Sequence, residues 1–257
     1  MPPSVVLPDG RVATLEPDPV RTGALLLTVD GAEQSLIDPR HPSALDLEYT
    51  ARLGAVVDAL AAPLTPVRVL HLGAGALSLA RYVAVTRPGS EQLAVDRIDG
   101  LVDFVLAHAP LPRGARVRLL TADAAGPLPE WAADLVVLDV YDGDEIPQAF
   151  YDRAVLARLA ERAGAEGLLA VNVADDADHR RLDRLRAVLR TLVPVTAAVG
   201  SAAFVDGRTS GNAILLGSRS DIAARVAGHL LRVGPHPVAA APDRDVVVVE
   251  VAVEIDP

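Results

Sequence analysis

Four carboxylates, Asp139, Asp142, Asp144 and Glu145, crowd into seven positions of "LVVLDVYDGDEIP" (residues 135–147), directly behind an apolar run. Like charges so close repel one another, so the stretch is either a solvated turn or a place for something cationic. Other apolar runs end the same way. "VRVLHLG" leads into Gly73-Ala74-Gly75, "EQLAVD" ends in Asp96, "VRLLTAD" ends in Asp123, and "GLLAVNV" carries Asn172 with Asp175 close behind. A lone G-x-G is a weak signal, because glycines also end strands for local reasons. Acids closing several successive strands on one rim are a concentration of like charge that a ligand would explain.

The spacing suits a nucleoside. Gly73 and Gly75 let the backbone approach a ligand at the start of a helix. Asp96 follows Gly75 by 21 positions, about where a nucleotide-binding sheet sets an acid against ribose hydroxyls. Pyrophosphate fits poorly, since position 78 is Ser rather than a third glycine and acids rather than cations surround the site. Adenosine carrying a sulfonium fits better, with ribose on Asp96, the adenine amino group on Asp123 and the positive centre facing Asp139. That is the arrangement of a sheet that binds S-adenosylmethionine.

The elements that must position these residues fall into two parts. Up to about residue 40 the pattern is short and β-like, "RVATLE", "ALLLTV" and "EQSLID", with Asp30-Gly31 as a hairpin turn signal. Residues 43–61 form a helix in this reading, capped by Ser43 and placing Leu45, Tyr49, Leu53, Val56 and Leu60 on one face. From residue 67 near-continuous apolar strands alternate with helices near 77–86, 98–109, 148–163 and 178–190, the mark of a parallel sheet covered on both faces. "VTAAV" and "NAILLGS", joined by "VDGRTSG", predict an antiparallel edge hairpin, followed by a helix near 220–231 and a last strand in "DVVVVEVAV". The expected fold is therefore α/β: a Rossmann-like, S-adenosylmethionine methyltransferase-like sheet over 43–257, with a small β appendage over 1–42.

Composition excludes much else. The absence of Cys removes thiol nucleophiles, disulfides and cysteine metal sites, and all 24 basic residues are Arg, which removes Schiff-base and Walker-type lysines. A net charge of −10 disfavours nucleic acid as a partner and mildly favours cationic ligands. No apolar run approaches the ~20 residues of a membrane span, and the first residues lack a signal-peptide pattern, so a cytoplasmic protein without a membrane partner is expected. The six histidines show no metal-ligand spacing, and no metal is expected; His71, inside an apolar strand, reads as a core residue. Ser35, Ser43 and Ser78 lack a nucleophile-elbow context. The Arg-rich "HRRLDRLRAVLR" keeps Leu182, Leu185 and Leu189 at helical spacing and reads as a solvated amphipathic helix.

The ordered set "DGAEQ", "LEYT", "LGAGALSLARY", "LAVD", "TADA" and "DLVVLDVYD" resembles the spermidine synthases, the polyamine aminopropyltransferases, from about residue 20 to 235. That family sets a small amino-terminal β domain on a methyltransferase-like sheet and moves an aminopropyl group from decarboxylated S-adenosylmethionine to an amine. The resemblance implies that Gln34 and Asp96 hold the nucleoside, Asp123 the adenine, and Tyr49, Asp139 and Asp142 the acceptor amine; it also implies a homodimer. The family's D-x-x-D is matched by Asp139-Val140-Tyr141-Asp142. A protonated amine cannot attack carbon until it loses a proton, so one carboxylate would accept that proton while another holds remaining positive charge. The chain departs from the family at its glycine loop. Where the family reads G-G-G-D-G, with the Asp binding the donor's amine, this chain has Ala76. Thr50-Ala51, the residues after Asp142 and the turn "VDGRTSG" depart as well.

Three readings follow. The first is a transferase moving an aminopropyl or related group from an S-adenosylmethionine-derived donor to a small-molecule amine. The second is an S-adenosylmethionine-dependent methyltransferase. The third is a non-catalytic nucleoside-binding protein. Gln34, Tyr49 and the Asp139/Asp142 pair favour the first, and Ala76 the other two.

Overall fold

The computed structural model describes residues 1–143 and 145–242. Asp144 and the expected strand in "DVVVVEVAV" lie outside the described residues.

Four strands, β1 (Ser4–Val6), β2 (Val12–Pro17), β3 (Leu25–Val29) and β4 (Ala32–Ile37), form an antiparallel meander in chain order. The β3–β4 turn is Asp30-Gly31, with φ of +50° and +80°. Both central residues are left-handed, the geometry that matches the twist of a tight hairpin. The first strand, three residues long, is too short to leave a sequence pattern.

The large sheet runs β12-β10-β11-β9-β8-β5-β6-β7, built from β5 (Arg68–Leu72), β6 (Glu91–Asp96), β7 (Arg116–Thr121), β8 (Leu135–Leu138), β9 (Leu168–Asp175), β10 (Val195–Ser201), β11 (Gly211–Ser218) and β12 (Val238–Ala240). The strands from β9 through β7 are parallel, while β11, β10 and β12 add on antiparallel. This is the mixed α/β, methyltransferase-like sheet with an antiparallel hairpin near one edge; the outermost strand there, β12, was not foreseen.

The central strands are apolar on both faces because both are covered. Val136 and Leu138 of β8 and Leu169, Val171 and Val173 of β9 pack towards α4 (Arg153–Arg162) and α5 (Arg180–Arg190), meeting Leu156, Leu159, Leu182 and Leu185. The alternate residues Leu135, Val137, Leu168 and Ala170 pack towards α1 (Glu48–Leu60) and α7 (Ile222–Val233), meeting Leu53, Val56, Val226 and Leu230. Period-two alternation thus splits one strand between two cores. Cover is incomplete at β7, where Arg116, Arg118, Leu119 and Thr121 are exposed, because the link to β8 contains no helix.

Helix α1 starts at Glu48 rather than near Ser43. Its N-cap is Leu47, which makes no side-chain capping bond, so Ser43 caps nothing. The face expected from the spacing is the one used: Leu53 and Val56 are buried, and Leu45, Tyr49 and Leu60 pack beside them. The small sheet sits on α3 (Leu101–His108) through Leu7, Leu15, Leu27 and Ile37 against Leu101, Phe104 and Val105.

Candidate active site

The order of the parallel strands reverses beside β5. From there the chain builds outward through β6 and β7, then returns to the other side with β8 and β9. Such a reversal leaves a crevice beyond the carboxyl ends of the strands. Here it is a cavity of about 370 Å³, roofed in part by the small sheet through Leu26, Glu33, Gln34 and Ser35. That volume is within the range of small-molecule sites.

Two backbone segments meet at its floor. Gly73 follows β5 with φ +89°, and a Cβ there would lie 2.1 Å from the carbonyl oxygen of Asp139, the residue following β8. No side chain can be accommodated without moving one strand end. Gly75, at φ +48°, would press a Cβ 2.5 Å from Ser35 Oγ, so the glycines admit both the neighbouring strand and the small sheet. The helix that follows, α2 (Ser78–Thr86), is tied to the small sheet by Ser78 Oγ donating to the Leu36 carbonyl at 3.1 Å. Arg81, buried on α2, donates to the carbonyls of Ala76 (3.1 Å) and Pro110 (2.8 Å), and burial lowers its pKa to about 10.

Asp96 lines the cavity at the end of β6. Its carboxylate accepts from the amides of Ala74 (2.9 Å), Gly75 (3.4 Å) and Ile98 (2.9 Å). It therefore shapes the glycine loop as well as lining the cavity. Asp123 stands two residues beyond the end of β7, exposed, holding the Ala125 amide at 2.8 Å, and also lines the cavity. Gln34 lines the opposite wall.

Asp139 is the most perturbed acid of the cavity. Burial pushes its pKa up from 3.8 to about 6, against the opposing effect of Asn172 Nδ2, which donates to Oδ1 at 2.8 Å. Tyr49, in the first turn of α1, faces it. Burial, then Asp139, then Tyr141 raise the Tyr49 pKa well above its usual 10, so its hydroxyl keeps its proton. Tyr141 is anchored: its hydroxyl donates to the Asn172 carbonyl and accepts from the Ala174 amide, each at 2.8 Å.

Asp142 is not brought into this group. It is exposed, pairs with Arg97 at 3.0 Å, and borders a separate surface groove with Glu145, Tyr151 and Arg181. Glu145 pairs with Arg181 at 3.0 Å. Each of these two acids thus pairs with an arginine, and Arg181 also reaches Asp175 and Asp176. Asp175 is spent on structure: buried, it accepts from the amides of Leu182 and Asp176 and so holds the start of α5. His71 is a packed residue, its Nε2 2.8 Å from Gln92 Oε1, with its pKa lowered to about 4 by burial.

Sequence reasoning gave no role to Asn212, Tyr141, Arg97 or Glu33, all of which line the cavity. Asn212 opens β11 and could have been flagged only as a polar residue at the head of an apolar run. Charged side chains lining the cavity, among the described residues, are Glu33, Asp96, Asp123, Asp139 and Arg97, the last already paired. Ala76, at the position where the resemblance expects an aspartate, is fully buried in the apolar seam between the small sheet and α3.

No family model matches the sequence, and no curated protein matches it either. Solved structures do. A probable spermidine synthase from Corynebacterium glutamicum ATCC 13032 superposes with a TM-score of 0.80 at 25% identity, over 95% of this chain and 91% of that one. A spermidine synthase in complex with the transition state analogue AdoDATO gives 0.63 at 12% identity, over 91% of this chain and 78% of that one. Human methyltransferase-like protein 13, in complex with SAH, gives 0.54 at 20% identity, over 72% of this chain and 91% of that one.

Proposed function

We propose that this chain, a divergent spermidine synthase-like protein, is a transferase that binds an S-adenosylmethionine-derived sulfonium and passes an aminopropyl or related group to a small-molecule amine. The observation that carries this reading is the charge of the cavity: Glu33, Asp96, Asp123 and Asp139 line it with one arginine, and that arginine is taken by Asp142. A ligand bearing phosphate or carboxylate would meet repulsion there; a cationic donor and an amine would meet attraction. The carboxyl group of S-adenosylmethionine itself has no free cation to meet among the described lining residues, which favours the decarboxylated donor.

In this reading Asp96 and Gln34 hold the nucleoside, with Asp96 on the ribose, Asp123 holds the adenine amino group, and Gly73 and Gly75 allow the nucleoside to approach the backbone. Asp139 is the base. A carboxylate with pKa about 6 is mostly ionised at neutral pH yet basic enough to take a proton from an ammonium held against it. The freed nitrogen lone pair bonds to the carbon beside the sulfonium, the carbon–sulfur bond breaks, and its electrons neutralise the sulfur. Tyr49, protonated beside Asp139, has a hydroxyl proton to offer the bound acceptor. Holding amine and carbon in line supplies much of the acceleration. No step in this sequence calls for a metal.

The site in Ala76 favours a second reading, a methyltransferase on the same sheet, because the donor's amine has no aspartate at that position. The experiment separating the two is a thermal-shift panel of S-adenosylmethionine, its decarboxylated form, methylthioadenosine and S-adenosylhomocysteine, followed by a turnover screen of diamines against neutral alcohols and phenols with both donors. Stabilisation by the decarboxylated donor with turnover of amines supports aminopropyl transfer. Turnover of neutral acceptors alone overturns it, and no stabilisation by any of the four compounds overturns the adenosyl reading altogether.

A further inference from the structure

Behind Asp139 runs a chain of two carboxamides. Asn172, buried on β9, donates from Nδ2 to Asp139 Oδ1 at 2.8 Å, and Asn212, on the neighbouring β11, donates from Nδ2 to Asn172 Oδ1 at 3.1 Å. The polarity of this chain is forced. An ionised carboxylate can only accept, so the Asn172 nitrogen must face Asp139, and its oxygen must then face a donor. Asn212 is that donor. Both residues ride on paired strands, Asn212 opposite Ala174 and Asn172 opposite Ile214, so the ladder fixes the backbone from which each amide projects. Tyr141 locks the same strand by bonding the Asn172 carbonyl and the Ala174 amide.

We infer that Asn172 and Asn212 form a positioning relay for Asp139, in which Asn212 fixes the orientation of the Asn172 amide and the amide in turn fixes the carboxylate and favours its ionised form. This deepens the proposed function and rests on Asp139 acting as its base. Other groups facing Asp139 are few. Tyr49 of α1 and Tyr141 of its own loop raise no positive charge near it, and His71 of β5, bordering the same small void, is kept neutral by burial, against the opposing effect of its bond to Gln92. Across the cavity stand Glu33 of the small sheet and Asp96 and Asp123 at the neighbouring strand ends, all acids, and Arg97 is held by Asp142. Among the described residues no cation pairs with Asp139, so the amide is the group that offsets the loss of water around its charge.

The test reads the ionisation of Asp139 directly, by carbon-13 NMR titration of its side-chain carboxyl in the ligand-free protein, so it requires neither a donor nor an acceptor. In Asn172→Ala the midpoint should rise by on the order of one to two pH units, the scale of a hydrogen bond to a charged group. Asn212→Ala should raise it by less, because the amide remains but is free to turn. In the double variant the midpoint should equal that of Asn172→Ala alone, since Asn212 acts through Asn172. An unmoved midpoint in Asn172→Ala, or two shifts that add in full, overturns the relay. Should Asn172→Ala fail to fold, Asn212→Ala decides alone: a raised midpoint supports the relay and an unchanged one overturns it. Turnover of Asp139→Asn is a separate measurement. If it equals that of the wild type, Asp139 is not the base, while the titration result on the relay stands.

Discussion

Replacing Asp139 by Asn should make the protein more stable at neutral pH. The carboxyl group is held at about 6 in the folded chain against 3.8 when free, so between those values the folded state binds more protons than the unfolded one. Stability gained from the protonated acid is fully present below about pH 4 and is lost as pH rises through 6. A difference of about two pH units corresponds to ~3 kcal/mol, and solvent in the open cavity screens the charge and reduces this to ~1–3 kcal/mol. Asn keeps the shape and can still accept from Asn172 Nδ2, but carries no charge. At pH 7 the variant should therefore exceed the wild type by ~1–3 kcal/mol, or a Tm higher by roughly 2–10 °C for a chain of this size. Urea and thermal unfolding of both proteins at pH 4 and pH 7 measure it, and the gap should nearly close at pH 4. A variant no more stable than the wild type at pH 7, or a gap independent of pH, would refute the argument that burial strains this carboxylate.

The same variant should lose turnover by ~10²–10⁴, the usual contribution of a general base, while adenosyl affinity measured by calorimetry barely changes. Asp96→Ala should weaken adenosyl compounds by ~1.5–3 kcal/mol, and it should also lower the Tm, because the carboxylate holds the Ala74, Gly75 and Ile98 amides; unchanged calorimetric affinity would sink the nucleoside reading. Gly73→Ala should destabilise the fold by more than the ~1–2 kcal/mol of a left-handed alanine, since its Cβ would also meet the Asp139 carbonyl at 2.1 Å, and denaturant unfolding at unchanged m-value would record it. Light scattering at low micromolar concentration should give the mass of a dimer, as the resemblance to spermidine synthases implies, and a monomer mass alone would count against it.

Much of the scaffold could be read from the chain because each central strand is buried on both faces and so appears as an unbroken apolar run. That is why Gly73, Asp96 and Asp139 were located at strand ends. Direction was harder. Spacing places Asp139 and Asp142 three apart in one loop, but only the fold shows one turned into the cavity and the other drawn to Arg97. Asp175 carries the same sequence signature as Asp139, an acid after an apolar strand, yet its partners are the amides of Leu182, in the first turn of α5, and of its neighbour Asp176. Asn212 escaped notice because its importance lies wholly in what stands across from it, a residue 40 positions away. Strands of three residues, β1 and β12, are shorter than any periodicity can reveal.

Ala76 has a consequence for anyone wishing to re-engineer this chain. The obvious design would set there the aspartate that the resemblance expects, to offer a carboxylate to the proposed donor. The fold closes that route. Position 76 lies sealed among Leu15, Leu27, Ile37, Leu101 and Phe104, and its own carbonyl is already claimed by Arg81. A carboxylate introduced there would have no water, and the neighbouring cation, Arg81, already donates to the Ala76 and Pro110 carbonyls, so its burial would be costly and would strain the packing of the small sheet on α3. A change of ligand preference would have to be written elsewhere on the cavity wall, at the exposed Glu33 of the roof rather than at Ser35, which is buried against Gly75.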